Sequence, residues 1–146
     1  MVEFMQLALE EAKKGSASEE VPVGACVVVD QTVVALTHNL CIAHGNPLAH
    51  AEVLAISSVI NRYSTKFLSE ATLYVTLEPC IMCAAAISYA RIKKVVYGAL
   101  NPKFGAIDSG PRIFSGKQSL YCPEIIGGIM ARQAEEMLSD FFSKLR

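Results

Sequence analysis

Long apolar runs are missing from this chain of 146 residues; stretches such as Val27-Val28-Val29 are far too short for the roughly 20 apolar residues that a membrane helix needs. A basic leader is missing too. Met1 to Met5 reads MVEFM, without signal-peptide form, so a cytoplasmic protein with no membrane partner is expected. There is almost no net charge, −1 at neutral pH, so the whole molecule is not an electrostatic magnet for nucleic acid. No repeat, low-complexity tract or linker breaks the chain, and a single domain over residues 1–146 is expected. With 52% hydrophobic and 18% charged residues, disorder is excluded as the general state. Cysteines come to five, an odd number, and two of them form a C-x-x-C, so metal or redox use is expected rather than a disulfide framework.

Charge is uneven along the sequence. Between Arg91 and Lys117 stand Arg91, Lys93, Lys94, Lys103, Arg112 and Lys117 against one acid, Asp108. This is either a phosphate-facing patch or an ordinary solvated surface, and charge alone favours the second.

Periodicity predicts helices over Val2 to Lys14 (apolar stripe Phe4, Leu7, Ala8, Ala12, with Gly15 past its end), Ala49 to Ile60, Pro79 to Ala90 and Ile129 to Leu145. Strands are predicted over Val23 to Val29, Thr32 to Thr37, Thr72 to Leu77, Val95 to Tyr97 and near Ile125-Ile126. Asp30-Gln31 reads as a hairpin turn, and Asn101 to Gln118, rich in Gly, Pro and Ser, as a long loop. Interleaved strands and helices make this an α/β fold. The first strand pair should be antiparallel and the later strand–helix–strand units parallel, giving a mixed sheet with helices on both faces.

The chemistry lies in His50-Ala51-Glu52 and Pro79-Cys80-Ile81-Met82-Cys83. Cys80 and Cys83, three apart, share a helix face, and the first turn of a helix favours thiolates. His50 and Glu52, two apart, would diverge by about 200° in mid-helix. They meet at one point only if a helix starts there and the metal lies off its N-terminal end. Two helix N-termini would then converge on one zinc ion, with short Ala51 permitting close approach. His50, Cys80 and Cys83 make three ligands where structural zinc takes four, which leaves a position for water. Glu52 is the proton carrier. A fourth ligand from Cys26, His38, Cys41, His44 or Cys122 would lack zinc-knuckle spacing; Cys26 reads as a core residue and the two histidines as surface or loop residues. H-x-E followed by P-C-x-x-C is the signature of zinc nucleobase deaminases, which implies hydrolytic deamination of an amino-substituted aromatic ring.

Beyond these motifs the chain closely resembles bacterial tRNA-specific adenosine deaminases over nearly its whole length. The likeness runs through Val21 to Ala25 (VPVGA), Ala49 to Glu52, Ala71 to Cys83 (ATLYVTLEPCIMC), Ala90 to Ile92, Val96 to Ala99 and Leu138 to Phe142 (LSDFF). ATLYVTLEPC is shared by several deaminase families, while the SDFF ending is more particular to the tRNA enzymes. The resemblance implies a cytidine-deaminase-like three-layer α/β/α fold on a five-stranded mixed sheet. It also implies a homodimer with one zinc ion per subunit, acting on the wobble adenosine of a tRNA anticodon stem-loop. By motif, Asn39 would hold the target base, donating and accepting through its carboxamide; its alternative is a turn residue. Val21, Pro22 and Leu77 would form apolar walls; their alternative is core packing. Asn101, Lys103, Phe142 and the terminal Lys144-Leu145-Arg146 could meet RNA, although Phe141 or Phe142 should pack on the core. Family members commonly carry Asp-Pro-Lys or Asp-Ala-Lys and then Gly-Ala-Ala-Gly-Ser. Here Asn101 replaces the acid and Ile107-Asp108 interrupts the small residues, so a weaker preference for RNA over DNA is expected. A small-molecule deaminase acting on guanine or cytosine shares the same core, and a non-catalytic RNA-binding subunit that kept zinc is a further alternative.

Overall fold

The strand β1 (Gly24–Val29) buries both of its faces: Ala25 and Val27 point one way, Cys26 and Val28 the other, and all are at most 5% exposed. A strand with that pattern needs a helical layer on each side. The computed structural model, which describes residues 1–116 and 120–145, supplies both layers. The chain runs α1 (Val2–Ala17), β1, β2 (Thr32–His38), α2 (Ala51–Tyr63), β3 (Thr72–Leu77), α3 (Ile81–Tyr89), β4 (Lys94–Ala99), β5 (Glu124–Ile126) and α4 (Ala131–Lys144). The sheet has five strands in the order β2-β1-β3-β4-β5. β1 is antiparallel to β2 and β3; β3, β4 and β5 run parallel. Ala25, Val27, Leu73, Val75, Val95 and Tyr97 pack with α2 and α3, and Cys26, Val28, Tyr74 and Val96 with α1 and α4.

Asp30 and Gln31 both have positive φ, 49° and 61°, between the paired Val29 and Thr32. That is the two-residue turn whose twist suits a hairpin. Two expectations about α1 shift. Its buried stripe is Met5, Ala8, Leu9 and Ala12, about one residue round from the predicted one, and the helix continues through Gly15, itself buried against the His38 ring. The contact explains the rotation: a Cβ on Gly24 would stand 1.9 Å from the Ala8 carbonyl oxygen, so the helix backbone rests directly on the strand. Helix starts also move. α2 begins at Ala51 rather than Ala49, and α3 at Ile81 rather than Pro79. Between β4 and β5 no helix forms among the described residues; Lys117 and Gln118 of the predicted loop, like Arg146, lie outside them.

Candidate metal centre and cleft

His50 and Cys80 occupy equivalent places. Each is the residue before the first turn of its helix, His50 with φ −73° and ψ 150°, Cys80 with φ −72° and ψ 174°. Extended backbone there turns the side chain back over the helix end. Cys83, the third residue of α3 and fully buried, faces the same point. His50 Nδ1 stands 3.6 Å from Cys80 Sγ and 3.5 Å from Cys83 Sγ, and the three ligand atoms all lie within 4.8 Å of one another. Zinc at ~2.3 Å from sulfur and ~2.05 Å from nitrogen in a tetrahedron requires N···S edges of about 3.5 Å. The donor set therefore fits zinc in type and in spacing. The Cys83 thiol donates to Cys80 and, with His50 beside it, holds Cys80 down at about 4 despite its burial. The same hydrogen bond, together with burial, pushes Cys83 up. Two crowded sulfurs share one proton in this way; a dication takes both as thiolates.

Glu52, the second residue of α2, is 4% exposed and faces the same cleft. Burial raises its carboxyl above the usual range, opposed in part by the hydrogen bond from its own N–H. Asn39 follows the end of β2. Its Oδ1 accepts the Ala51 N–H at 2.8 Å, and Thr37 Oγ1 donates to the Ala51 carbonyl at 2.7 Å. Asn39 thus satisfies one of the free N–H groups of α2 and keeps its amide NH2 for the cleft it lines.

The cleft encloses about 820 Å3, within the range of small-molecule sites. It lies at the carboxyl ends of β3 and β4, where Leu77 and Leu100 form part of its wall. Val21, Asn101, Lys103 and Phe142 line it as well. Pro22 and Ala51 do not: both side chains are fully buried behind the surface, and Ala51 serves through its backbone, whose N–H and carbonyl bond Asn39 and Thr37. Phe141 packs on the core at 9% exposure while Phe142, at 44%, reaches the cleft. Lys144 and Leu145 are exposed at the end of α4, and Arg146 lies outside the described residues.

None of the other histidines and cysteines joins the three-ligand set among the described residues. His38 Nδ1 pairs with Glu11 at 2.9 Å, and His44 is exposed. Cys26 is buried in β1, its thiol pushed up to about 11 by burial, and Cys122 is exposed. Cys41 is half-buried in the cleft wall, its sulfur 3.9 Å from the Pro47 carbonyl. The basic stretch is not one patch. Arg91 stacks over Phe67 at 4.0 Å and Lys93 pairs with Glu70 at 3.5 Å, near the start of β3, whereas Lys103 stands at the cleft by its far end. Lys117 is outside the described residues.

Two further carboxylates line the cleft outside the H-x-E and C-x-x-C sets. Glu20, 1% exposed, accepts the N–H groups of Ile42 and Ala43 at 2.9 and 2.8 Å. Glu78, also 1% exposed, binds the loop after β4; burial would raise its carboxyl, but hydrogen bonds from Asn101, Ser109 and Asp108 outweigh that and hold it low. Their one sequence signal is an acid set directly against an apolar strand or a Val-Pro turn.

Against known proteins, residues 1–99 match the family model described as the cytidine and deoxycytidylate deaminase zinc-binding region. The chain is 41% identical to the tRNA-specific adenosine deaminase of Rickettsia felis, over 97% of this chain and all of that one. A solved structure from work on A-to-I editing by tRNA:A34 deaminases superposes with a TM-score of 0.92 at 42% identity, covering 94% of this chain and 100% of the other. The guanine deaminase of Nitrosomonas europaea shares the fold, with a TM-score of 0.83 at 21% identity over 97% of this chain and 84% of that one.

Proposed function

Because the chain belongs to the zinc-binding cytidine and deoxycytidylate deaminase family, and within it to the tRNA-specific adenosine deaminases, we propose that it converts adenosine to inosine at the wobble position of tRNA anticodons. One observation carries the chemistry: a buried carboxylate, Glu52, opens on the same cleft as a three-ligand set that fits zinc. The substrate follows from likeness to tRNA enzymes along the whole chain.

His50, Cys80 and Cys83 hold the metal. Zinc so bound supplies a Lewis acid that lowers the pKa of water from 15.7 towards about 7. Glu52 takes a proton from the attacking water and delivers it to the ring nitrogen beside the reacting carbon. The same carboxylate then takes the proton of the newly added hydroxyl and passes it to the amine, which leaves as ammonia while the hydroxyl oxygen becomes the carbonyl. Asn39 donates its free NH2 to the purine edge, and Val21 and Leu77 flank the base. Asn101, Lys103 and Phe142 meet RNA at the cleft rim.

The enzyme is a homodimer. This is supported by α3, which carries no charged residue and leaves Ile81 57% and Tyr89 79% exposed on its outer side. It works in the cytoplasm, where tRNA is modified; no helix among the described residues is long and apolar enough to cross a membrane.

The test is inosine and ammonia formation by zinc-loaded protein on an anticodon stem-loop with wobble adenosine, beside free guanine, cytosine, adenosine and cytidine. Inosine only in the stem-loop is expected. Turnover of a free base or nucleoside with none on the stem-loop would replace tRNA by a small molecule. Glu52→Ala should lose at least about a hundredfold in turnover while retaining one zinc per chain; unchanged turnover would sink the proton-carrier role.

A further inference from the structure

Five donors of the loop after β4 converge on one side chain, Glu78, while Tyr97 donates to Asp108 and the Ala106 N–H to the Pro79 carbonyl. Glu78 Oε1 accepts the Asn101 N–H at 3.0 Å and the Ser109 hydroxyl at 2.7 Å. Its Oε2 accepts the N–H groups of Ile107 at 3.1 Å, Asp108 at 2.8 Å and Ser109 at 2.8 Å. The loop lies so close that a Cβ on Gly105 would stand 2.5 Å from Glu78 Oε1 and from the Asn101 carbonyl oxygen. Gly105 also bridges Cys80, so the loop is laid directly on the segment that bears a metal ligand.

Between these fixed points the backbone bulges outward. Asn101 Oδ1 accepts the Phe104 N–H at 3.1 Å, and Phe104 is left 64% exposed on the cleft rim, with Lys103 Nζ 5.2 Å from its ring centre. A phenylalanine so placed adds nothing to the core. An aromatic face beside a cation, at the mouth of a base-sized cleft, has the make-up of a platform for single-stranded nucleic acid.

We infer that Glu78 is a positioning residue. It sets the loop so that Phe104 and Lys103 form a ledge on which a nucleobase next to the target adenosine stacks, with its phosphate towards Lys103. This rests on the single-stranded anticodon loop as substrate. Burial of Glu78 fits the role, because water cannot compete for its five donors.

Glu78→Gln separates the parts. The amide oxygen can keep the three N–H groups now on Oε2, but its NH2 then faces the Asn101 N–H, donor against donor. Hydrogen exchange should quicken at Asn101 and its neighbours. KM for the stem-loop should rise about tenfold, with kcat and zinc content little changed. Phe104→Ala should raise KM alike without altering exchange, and Phe104→Trp should restore it. An unchanged KM in both Glu78→Gln and Phe104→Ala overturns the ledge; unchanged loop exchange in Glu78→Gln overturns the clamp. If Glu78→Gln does not fold, the Phe104 pair decides the ledge and Gly105→Ala, which drives the loop off the same carboxylate, decides the clamp by exchange. Wild-type protein that makes no inosine would count against the proposed function alone. The exchange measurement and stem-loop binding by fluorescence anisotropy, wild type against Phe104→Ala, would still decide clamp and ledge.

Discussion

Asn39 shows how one side chain divides its duties. As a free amide it could both donate to and accept from a purine, but its oxygen is engaged by the Ala51 N–H and the NH2 is what remains. Asn39→Asp keeps the acceptor for the helix and loses the donor. Thermal stability should stay close to wild type while kcat/KM falls at least about tenfold; equal losses in both would make Asn39 a capping residue and nothing more. Asn101 is likewise committed through its backbone N–H to Glu78 and its Oδ1 to Phe104. An aspartate there preserves both bonds, so Asn101→Asp changes charge without moving the loop. It should raise the preference for an RNA stem-loop over its DNA counterpart, and unchanged selectivity would remove Asn101 from that discrimination. The candidate metal set was legible at this scale because its spacing is local: His50 lies two residues from Glu52, and Cys80 three from Cys83. Glu78 was not, since its partners lie 23 to 31 residues away and no periodicity announces them.

Elements were legible in kind and order, less so in their ends. Pro79 was placed inside α3, yet the extended Cys80 stands between it and the first turn. That offset is what lets Cys80 swing towards His50. The rotation of α1 had no sequence signal of its own, because it depends on the bare backbone of Gly24 in another element. The seam between α1 and β2 carries a charge. Glu11, 8% exposed, binds His38 at 2.9 Å and Lys14 at 2.9 Å. Burial alone would raise its carboxyl, but the hydrogen bonds from Lys14 and His38 hold it below the ordinary 4.5. A carboxyl lowered by folding stabilises the fold above its unfolded value and loses that contribution as pH falls through the folded one. Glu11→Gln should therefore be less stable than wild type by about 1–2 kcal/mol at neutral pH. The gap should narrow below pH 4.5 in urea titrations; a gap independent of pH would mean that packing, not charge, holds the seam.

Over the whole molecule, the mixed sheet follows from strand patterning, with residues pointing alternately into two helical layers. The site follows from topology, since β2 and β3, both antiparallel to β1, run the same way and deliver α2 and α3 with their N-termini towards the same edge. The surface that α3 leaves uncovered is apolar, and sedimentation should give a two-chain mass at micromolar concentration. Tyr89→Glu, at a position 79% exposed in the single chain, should yield a folded one-chain species; a one-chain mass for the wild type would refute the dimer. Zinc held between His50 and Cys80 would have a mechanical side. The link would close a ring across 30 residues that contains α2 and the central strand β3, while β2 and β5, the borders of the sheet, stay outside it. A tether of that length removes freedom mainly from the unfolded chain. An ion held there would thus also be a clasp: fraying should begin at the free borders, and the middle of the sheet should open only once the clasp lets go.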